Sequence, residues 1–371
     1  MPAMRSYLVL NAGSSSLKFA VFGAALNLVQ KGQISGIGSA PRLEIEGHKN
    51  QDVPHVTTPA EGLLVALEWL SDHGHEPPHF NGIGHRIVHG GTHYVMPTVV
   101  NDAVQHDLEA LRALAPLHLP FGLGVLREMR RVAPQVPSIA CFDTAFHATQ
   151  PELATRLPIP RAYFDKGYRR YGFHGLSYEH VVNALPRLTG KPLPRRLLTA
   201  HLGSGASMCA ILEGKSVATT MGFSTADGLV MGTRTGSIDP GVLVALMRDE
   251  HLSLDQLEDL LYRKSGLLGL SGISADMRVL LASDRSEAIE AVEYYCYSAA
   301  RHAASLVPAL GGLDAIVFTG GVGENAGPVR ARILTHLKWL DIDDVYVVPA
   351  NEELTIARNV KELLMDQTPN L

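Results

Sequence analysis

The chain has 371 residues, of which 46% are hydrophobic and 19% charged, with a formal net charge of −5 and a pI near 6.4. This length favours roughly two domains, the composition is typical of a soluble globular enzyme, and the weak negative charge predicts no nucleic-acid partner. The apolar runs are too short to span a membrane, and three distant cysteines without CxxC spacing predict neither a disulfide framework nor a structural zinc site, which favours a cytoplasmic protein.

The first predicted element is a β-hairpin that the second half of the chain repeats. Residues 7–22 and 197–212 each consist of an apolar strand, a turn rich in glycine and serine, and a second apolar strand. An ungapped alignment pairs small residues of the two copies: Gly13 with Gly203, Ser14 with Ser204, and Ala20 with Ala210. A tight Gly/Ser turn points several N–H groups at one anion. The repeat therefore predicts a kinase with a cleft between two related domains, with plain hairpins as the alternative.

The two turns differ in their polar side chains. In the same alignment Ala206 and Met208 stand opposite Ser16 and Lys18. We therefore expect the first turn to serve metal and phosphoryl chemistry, and the second to hold a phosphate chain.

Helices and strands alternate along the rest of the chain. The first half is predicted to hold an irregular polar segment over 36–54, a helix over 60–70, a helix capped by Asn101 or Asp102 and carrying apolar residues to Leu114, and a buried strand over 137–141. The second half is predicted to hold a helix capped by Ser177 and ending at Leu185, the repeated hairpin, a Gly-rich segment over 221–241, a helix over 287–307, a strand over 315–318, a turn over 319–325, and a last helix from Asn351 that returns to the first domain. This pattern predicts an α/β fold with mixed sheets in two domains, 1–142 with 352–371, and 143–351.

Two common nucleotide-binding motifs are absent from the sequence. Gly214-Lys215-Ser216 supplies the last three residues of a Walker A loop, but Cys209 replaces the glycine that the loop requires. No G-x-G-x-x-G segment links a strand to a helix, which argues against a Rossmann dehydrogenase. A nucleotide is therefore expected to bind by another arrangement.

A series of short motifs resembles the acetate kinase family, in the family's order and over almost the whole chain. They are Asn11–Lys18, His85–Gly91, Phe142–His147, Tyr171–Gly175, His201–Gly205, Met231–Arg234, Asp276–Arg278, Gly320–Asn325 and Asn351–Leu354. The resemblance implies the acetate and sugar kinase/actin superfamily, with duplicated ribonuclease H-like cores. It also implies reversible, Mg²⁺-dependent transfer of a phosphoryl group from ATP to acetate, giving acetyl phosphate and ADP, in a homodimer.

The resemblance assigns roles to three cationic or hydrogen-bonding side chains. It makes Arg86 and Arg234 the holders of the carboxylate and the transferring phosphoryl group, and His174 a second stabiliser of the transition state. These residue types suit the chemistry, because transfer to a carboxylate brings two anions together and positive charge must offset their repulsion.

Asp143 matches the family carboxylate that is described as a proton donor or acceptor. An ionised acid needs no deprotonation to attack phosphorus, so we expect Asp143 to hold Arg86 or the metal shell, with base catalysis as the alternative. The resemblance assigns Mg²⁺, with Mn²⁺ as an alternative, to Asn11 and Glu352, and the neighbouring Glu353 is the alternative to Glu352.

The resemblance also implies the binding positions for both substrates. The phosphates of ATP or ADP are assigned to Ser16, Lys18, His201, Leu202, Gly203, Ser204 and Gly205, and the adenosine to Asp276, Met277, Arg278, Gly321, Val322, Gly323, Glu324 and Asn325. The small carboxylic acid is assigned to Arg86, Val88, Leu117, His118, Phe173 and Thr225.

Several positions depart from the family's usual pattern, among them Ser204, Thr225, Leu119 and Tyr178. Ser204 stands where Asn is usual, which predicts weaker or water-mediated phosphate contacts. Thr225 replaces a Pro of the acyl pocket, so propionate or another short-chain acid stays open beside acetate. Leu119 and Tyr178 replace Asn and His. A nucleotide-binding regulator without turnover, and a kinase that uses another phosphoryl donor such as pyrophosphate, are the remaining alternatives.

Overall fold

The computed structural model describes residues 6–342 and 344–366, which form two compact units. The first contains the described residues up to Ala145 together with those from Asn351 onward, and the second contains Phe146–Ala350. Each unit is built on one mixed β-sheet with helices packed against it.

The strands are β1 Ser6–Ala12, β2 Leu17–Gly23, β3 Leu28–Ser35, β4 Arg42–Ile45, β5 Gln51–Asp52, β6 Phe80–Ile87, β7 Thr98–Val99, β8 Ser138–Phe142, β9 Arg196–Leu202, β10 Ala206–Leu212, β11 Lys215–Thr219, β12 Ala315–Thr319 and β13 Asp344–Val347. The helices are α1 Pro59–Asp72, α2 Asp102–Ala110, α3 Leu119–Val132, α4 Glu152–Thr155, α5 Arg161–Asp165, α6 Gly175–Thr189, α7 Pro240–Asp249, α8 Leu254–Arg263, α9 Gly266–Ser271, α10 Met277–Leu281, α11 Ser286–Leu310, α12 Gly320–Asn325, α13 Gly327–Leu337 and α14 Glu352–Asp366.

The two sheets share a five-stranded core with the same topology. The first has the strand order β5-β4-β3-β2-β1-β6-β8-β7, and the second has the order β11-β10-β9-β12-β13. In each sheet three consecutive strands are antiparallel, and two later strands add parallel to the first of them: β6 and β8 beside β1, β12 and β13 beside β9. The predicted duplication and α/β class are therefore confirmed.

The hydrogen-bond register corrects the ungapped alignment of the two hairpins. Asn11 pairs with Lys18 across the first hairpin, whereas His201 pairs with Ser207 across the second. The second turn is one residue shorter, and a shift of one residue moves every side chain to the other face of a strand. Ser207, and not Met208, therefore occupies the position of Lys18.

The first sheet is packed on both faces. Ile83 of β6 belongs to a core that helices α1 and α3 complete with Leu63, Leu70 and Met129. The opposite face of β6 carries Gly84, where an added Cβ would lie 2.3 Å from the side chain of Ile356 on α14. Glycine at this position allows α14 to lie directly on the strand.

Several predicted elements differ in detail from the structure. The segment expected to be irregular contains β4 and β5, because Leu43 and Ile45 alternate inward over only four residues. The helix capped by Asn101 ends at Ala110 and gives way to a 3₁₀ turn that reaches Leu114.

Two further corrections concern the second unit. The helix assigned to a Ser177 cap begins two residues earlier, at Gly175, and runs to Thr189. Its cap residue is His174, whose left-handed backbone ends the preceding loop. The glycine-rich turn after β12 is itself the short helix α12.

Candidate active site

Arg86 lies at the centre of a polar cluster in the first unit. Its Nη2 is 2.6 Å from Asp143 Oδ2, and its Nε donates to Oδ1 and Oδ2 at 3.2 and 3.1 Å. Its Nη1 donates to Asn11 Oδ1 at 3.1 Å, and its Nε lies 3.8 Å from Glu352 Oε2. Asn11, Arg86 and Asp143 meet because each lies at or just beyond the carboxyl end of one of three adjacent parallel strands.

Burial and charge both act on this cluster. The Asp143 side chain is 1% exposed and the Arg86 side chain 21%. Burial alone would lower the pKa of Arg86, but the charges of Asp143 and Glu352 and the hydrogen bond to Asp143 raise it above its ordinary value. Arg86 is therefore a permanent cation held in a fixed orientation.

Other predicted residues of the first unit are not among the bonding partners of Arg86. Ser16 tightens the first turn, where its carbonyl accepts from the Gly13 amide at 2.8 Å. Lys18 faces the same side of the sheet as Asn11, its cross-strand partner. Among the described residues, the hydrogen bonds and ion pairs of Arg86 involve none of Ser16, Lys18, Val88, Leu117 or His118.

The predicted acyl-pocket residues of the first unit follow β6 or precede α3. Val88 comes directly after β6 and is 8% exposed. Leu117 and His118 are half-buried, and His118 is the N-cap residue directly before α3.

His174 is supported from two sides in the second unit. Its Nδ1 lies 2.9 Å from Ser207 Oγ, and its ring stacks on that of His201 with centroids 4.3 Å apart. His201 is itself oriented by Ser177, whose Oγ is 2.8 Å from His201 Nδ1. The His174 backbone has φ 60° and ψ 23°, a left-handed conformation that is unfavourable for a residue with a side chain and is typical of functional sites.

Gly205 brings the second turn next to His174 and Arg234. A Cβ added at Gly205 would lie 3.3 Å from His174 Nε2 and 3.7 Å from Arg234 Nη1. Arg234 Nη1 also donates to the Thr225 carbonyl at 3.2 Å. A side chain at this position would crowd the imidazole of His174, whereas its distance from the Arg234 guanidinium would be an ordinary van der Waals contact.

The predicted phosphate turn is closed by its own backbone. The Gly203 amide donates to the Gly205 carbonyl at 2.9 Å, and the Ser204 carbonyl accepts from Gly232 at 3.3 Å. Ser204 is exposed at the tip of the turn. Leu202 is buried and lies against α12, where an added Cβ on Gly323 would be 3.6 Å from it.

The predicted adenosine residues form two separate structures in the second unit. Asp276 caps α10 by accepting from the Arg278 amide at 2.9 Å, and their side chains form an ion pair at 2.6 Å. Met277 is buried beneath them. In α12, Arg330 donates to the carbonyls of Gly323 and Glu324 at 2.8 Å each.

Two polar side chains of α12 form hydrogen bonds to backbone groups. Asn325 Nδ2 donates to the Gly321 carbonyl at 2.9 Å, and Glu324 Oε1 accepts from the Ala350 amide at 2.9 Å. An added Cβ on Gly321 would meet nothing within 4 Å, so the start of α12 beside Val322 has open space for a ligand.

Several supporting residues were not predicted from the sequence. Ser207 and Ser177 orient the two stacked histidines, and His147 Nε2 contacts the Phe173 carbonyl at 2.9 Å, directly before His174. Ser207 could have been found by allowing the second turn to be one residue shorter. The sequence marks Tyr178 only as a departure from the family pattern.

Comparison with known proteins decides the family. The model of the acetokinase family matches residues 6–353. The chain belongs to the acetokinase family. It is 44% identical over 396 residues to a protein of Nitrobacter hamburgensis named acetate kinase, with 98% of each chain covered.

Solved structures of a propionate kinase and an acetate kinase have the same fold as this chain. A propionate kinase from Francisella tularensis superposes with a TM-score of 0.90 at 32% identity, covering 97% of this chain and 100% of the other. An acetate kinase from Porphyromonas gingivalis gives a TM-score of 0.88 at 31% identity, with the same coverage. The expected superfamily fold is therefore confirmed. Within the described residues, no helix has the length and apolar character needed to cross a membrane.

Proposed function

We propose that this acetokinase catalyses reversible, ATP-dependent phosphorylation of acetate to acetyl phosphate. The observation that carries the proposal is the fixed guanidinium of Arg86, held by Asp143 and Asn11. A planar guanidinium binds a carboxylate through two parallel hydrogen bonds, which suits a small acid as substrate.

The reaction is direct in-line transfer through a loose transition state. Arg86 binds the acid, Arg234 carries positive charge to the transferring phosphoryl group, and His174 donates a hydrogen bond to its oxygens. The contacts between Asp143 and Arg86 support an orienting role for the carboxylate, because both of its oxygens accept from the guanidinium. Base catalysis by Asp143 is the second candidate.

Asn11 and Glu352 suit a divalent cation in this reaction. Each presents a side-chain oxygen near the same guanidinium, and the cluster has two carboxylates for one arginine. Among the described residues no group of three or more His, Cys, Asp or Glu side chains is arranged to hold a metal. Mg²⁺, or Mn²⁺ in its place, would thus be held by one or two protein oxygens, water and ATP, as is usual for kinases. When bound, the ion neutralises charge on the phosphates.

The nucleotide is proposed to bind in the second unit. The turn from His201 to Gly205 would hold the phosphates, and Lys18 is also a proposed phosphate ligand. The Asp276–Arg278 segment and the open start of α12 at Gly321 would hold the adenosine, because a helix start without side chains leaves room for a planar base.

Propionate is the second candidate acid. One structural relative is named a propionate kinase and another an acetate kinase, with TM-scores of 0.90 and 0.88. Val88, Leu117, His118, Phe173 and Thr225 are the proposed acyl-pocket residues, and one methylene in such a pocket changes kcat/KM by only about 10- to 200-fold.

A homodimer is proposed from the surface of α7. This helix has no buried residue. Three of its apolar side chains are exposed: Val242 is 44% exposed, Val244 59% and Met247 39%. Three exposed apolar side chains on one ten-residue helix favour a protein interface, and a second copy of the chain is the proposed occupant. A cytoplasmic location is proposed from the sparse, widely spaced cysteines.

Hydroxylamine trapping tests the proposed activity. Purified protein is incubated with ATP, Mg²⁺ and acetate, propionate or butyrate, and the acyl hydroxamate is measured. We expect hydroxamate with acetate, propionate or both. Absence of product with all three acids would refute the proposal, and ATP binding without acid-dependent ADP release would instead indicate a regulator.

A further inference from the structure

A row of buried hydroxyl groups lies behind the proposed catalytic histidine. Ser207 of β10 is completely buried, and its Oγ contacts His174 Nδ1 at 2.9 Å on one side. On the other side it is hydrogen-bonded to the hydroxyl of Tyr178, which is also completely buried. The three groups form one chain of hydrogen bonds.

Only one arrangement of the hydrogens gives every hydroxyl group in this row an acceptor. Within the described residues, Ser207 is the one hydrogen-bond partner of the Tyr178 hydroxyl. Burial raises the pKa of Tyr178 well above its ordinary value, so the phenol keeps its hydrogen and donates it to Ser207. The hydrogen of Ser207 then points to His174 Nδ1, which must accept it.

A hydrogen on His174 Nδ1 would disturb this arrangement. Ser207 would have to accept from the imidazole, and either its own hydrogen or that of Tyr178 would be left buried without an acceptor. A doubly protonated His174 has the same defect. In addition, its ring stacks on His201 at 4.3 Å, where two charged imidazoles would repel each other.

We propose that Ser207 and Tyr178 are positioning residues that hold His174 as a neutral imidazole with its hydrogen on Nε2. This inference rests on the proposed function, because it defines what His174 presents to the transferring phosphoryl group. Nε2 is the ring nitrogen beside Gly205, in the turn proposed to hold the phosphates. Its hydrogen is thus aimed at the phosphate side by the residues behind the ring.

A double-mutant cycle tests whether Ser207 acts through His174. Ser207→Ala is made in the wild-type protein and in the His174→Ala variant, and kcat and KM are measured for both substrates. In the wild-type background we expect kcat to fall about tenfold with KM values nearly unchanged. In the His174→Ala background Ser207→Ala should have no further effect on kcat. An equal loss in both backgrounds would overturn the proposal.

Two further variants separate the hydrogen-bond chain from general packing. Tyr295→Phe is the matched control, because the Tyr295 hydroxyl is buried in the same unit and has no hydrogen-bond partner within the described residues. It should leave kcat unchanged. Ser207→Ala leaves the Tyr178 hydroxyl without its hydrogen-bond partner. Adding Tyr178→Phe should therefore recover thermal stability without recovering kcat. Recovery of kcat in that double variant would indicate a structural role.

Nitrogen NMR tests the tautomer independently of turnover. The protein is labelled with ¹⁵N-histidine, and the His174 signals are identified by their loss in His174→Ala. We expect a protonated Nε2 and an unprotonated Nδ1 at neutral pH, and averaged nitrogen shifts in Ser207→Ala. A protonated Nδ1 in the wild-type protein would overturn the inference. If the wild-type protein lacks kinase activity, the proposed function fails while this spectrum still decides the tautomer.

Discussion

Substitution of Asp143 by Asn tests the orienting role of this carboxylate. Asn has nearly the same shape but loses the negative charge, and its NH₂ group cannot accept from Arg86. Removing one partner of a buried ion pair lowers the free energy of unfolding by about 3–5 kcal/mol. Because one acceptor oxygen remains, and Asn11 still accepts from Nη1 at 3.1 Å, we expect a loss of about 2–3 kcal/mol.

Because Arg86 is the proposed ligand of the acid, this loss is the upper limit of what binding of the acid should lose. About 2–3 kcal/mol corresponds to about a 30- to 150-fold decrease in kcat/KM. If Asp143 acts by orienting Arg86, Asp143→Asn should raise the KM for acetate, as removal of Arg86 would. If Asp143 is a base, kcat should fall while KM is unchanged. Steady-state kinetics at saturating ATP separate the two roles.

Asp314→Asn is the matched control for this experiment. Asp314 also pairs with an arginine, Arg196, but both side chains are about one-third exposed, and the pair lies in the second unit. Such a pair contributes about 0–1 kcal/mol. The control should therefore keep its kinetic constants. If Asp143→Asn also keeps kcat/KM within about threefold, the orienting argument is wrong.

Three further predictions follow from the same geometry. Arg86→Ala should mainly raise the KM for the acid and Arg234→Ala mainly lower kcat, each by at least about tenfold, and equal effects on both constants in both variants would contradict this division. Burial lowers the pKa of His147 from 6.5 to about 4, so the unfolded chain binds this proton first as pH falls. Stability should thus be complete above about pH 6.5 and lost between about pH 6.5 and 4, and His147→Gln should reduce that loss in denaturation curves. Ser204→Asn should lower the KM for ATP severalfold by restoring a longer donor to the phosphate turn, and an unchanged KM would show that Ser204 does not limit binding.

The strongly periodic elements could be predicted from the sequence. The paired apolar strands around residues 13 and 203, the helix α1 and the long helix α11 all carry local signals that packing does not override. The short strands β4 and β5 could not be predicted, because four or fewer residues are too few to establish an alternation.

The support of the site depends on contacts that the sequence does not display. The hydrogen-bond partners of Arg86, Asp143 and Asn11, lie 57 and 75 residues away from it, and sequence spacing alone does not show that strands β1, β6 and β8 are neighbours. The Ser207 contact depends on a one-residue difference in turn length between two similar hairpins. The motifs located His174, whereas its hydrogen-bonding partners required the register of β9 and β10.

Transfer of ATP's phosphoryl group to an oxygen of the acid is the central claim, and ³¹P NMR with ¹⁸O-labelled acetate tests it most directly. The protein is incubated with ATP, Mg²⁺ and acetate labelled at both carboxylate oxygens. We predict an acetyl phosphate signal with the shift caused by one bridging ¹⁸O, together with an equal amount of ADP. Formation of unshifted inorganic phosphate alone would show hydrolysis of ATP by water and would contradict transfer to the carboxylate.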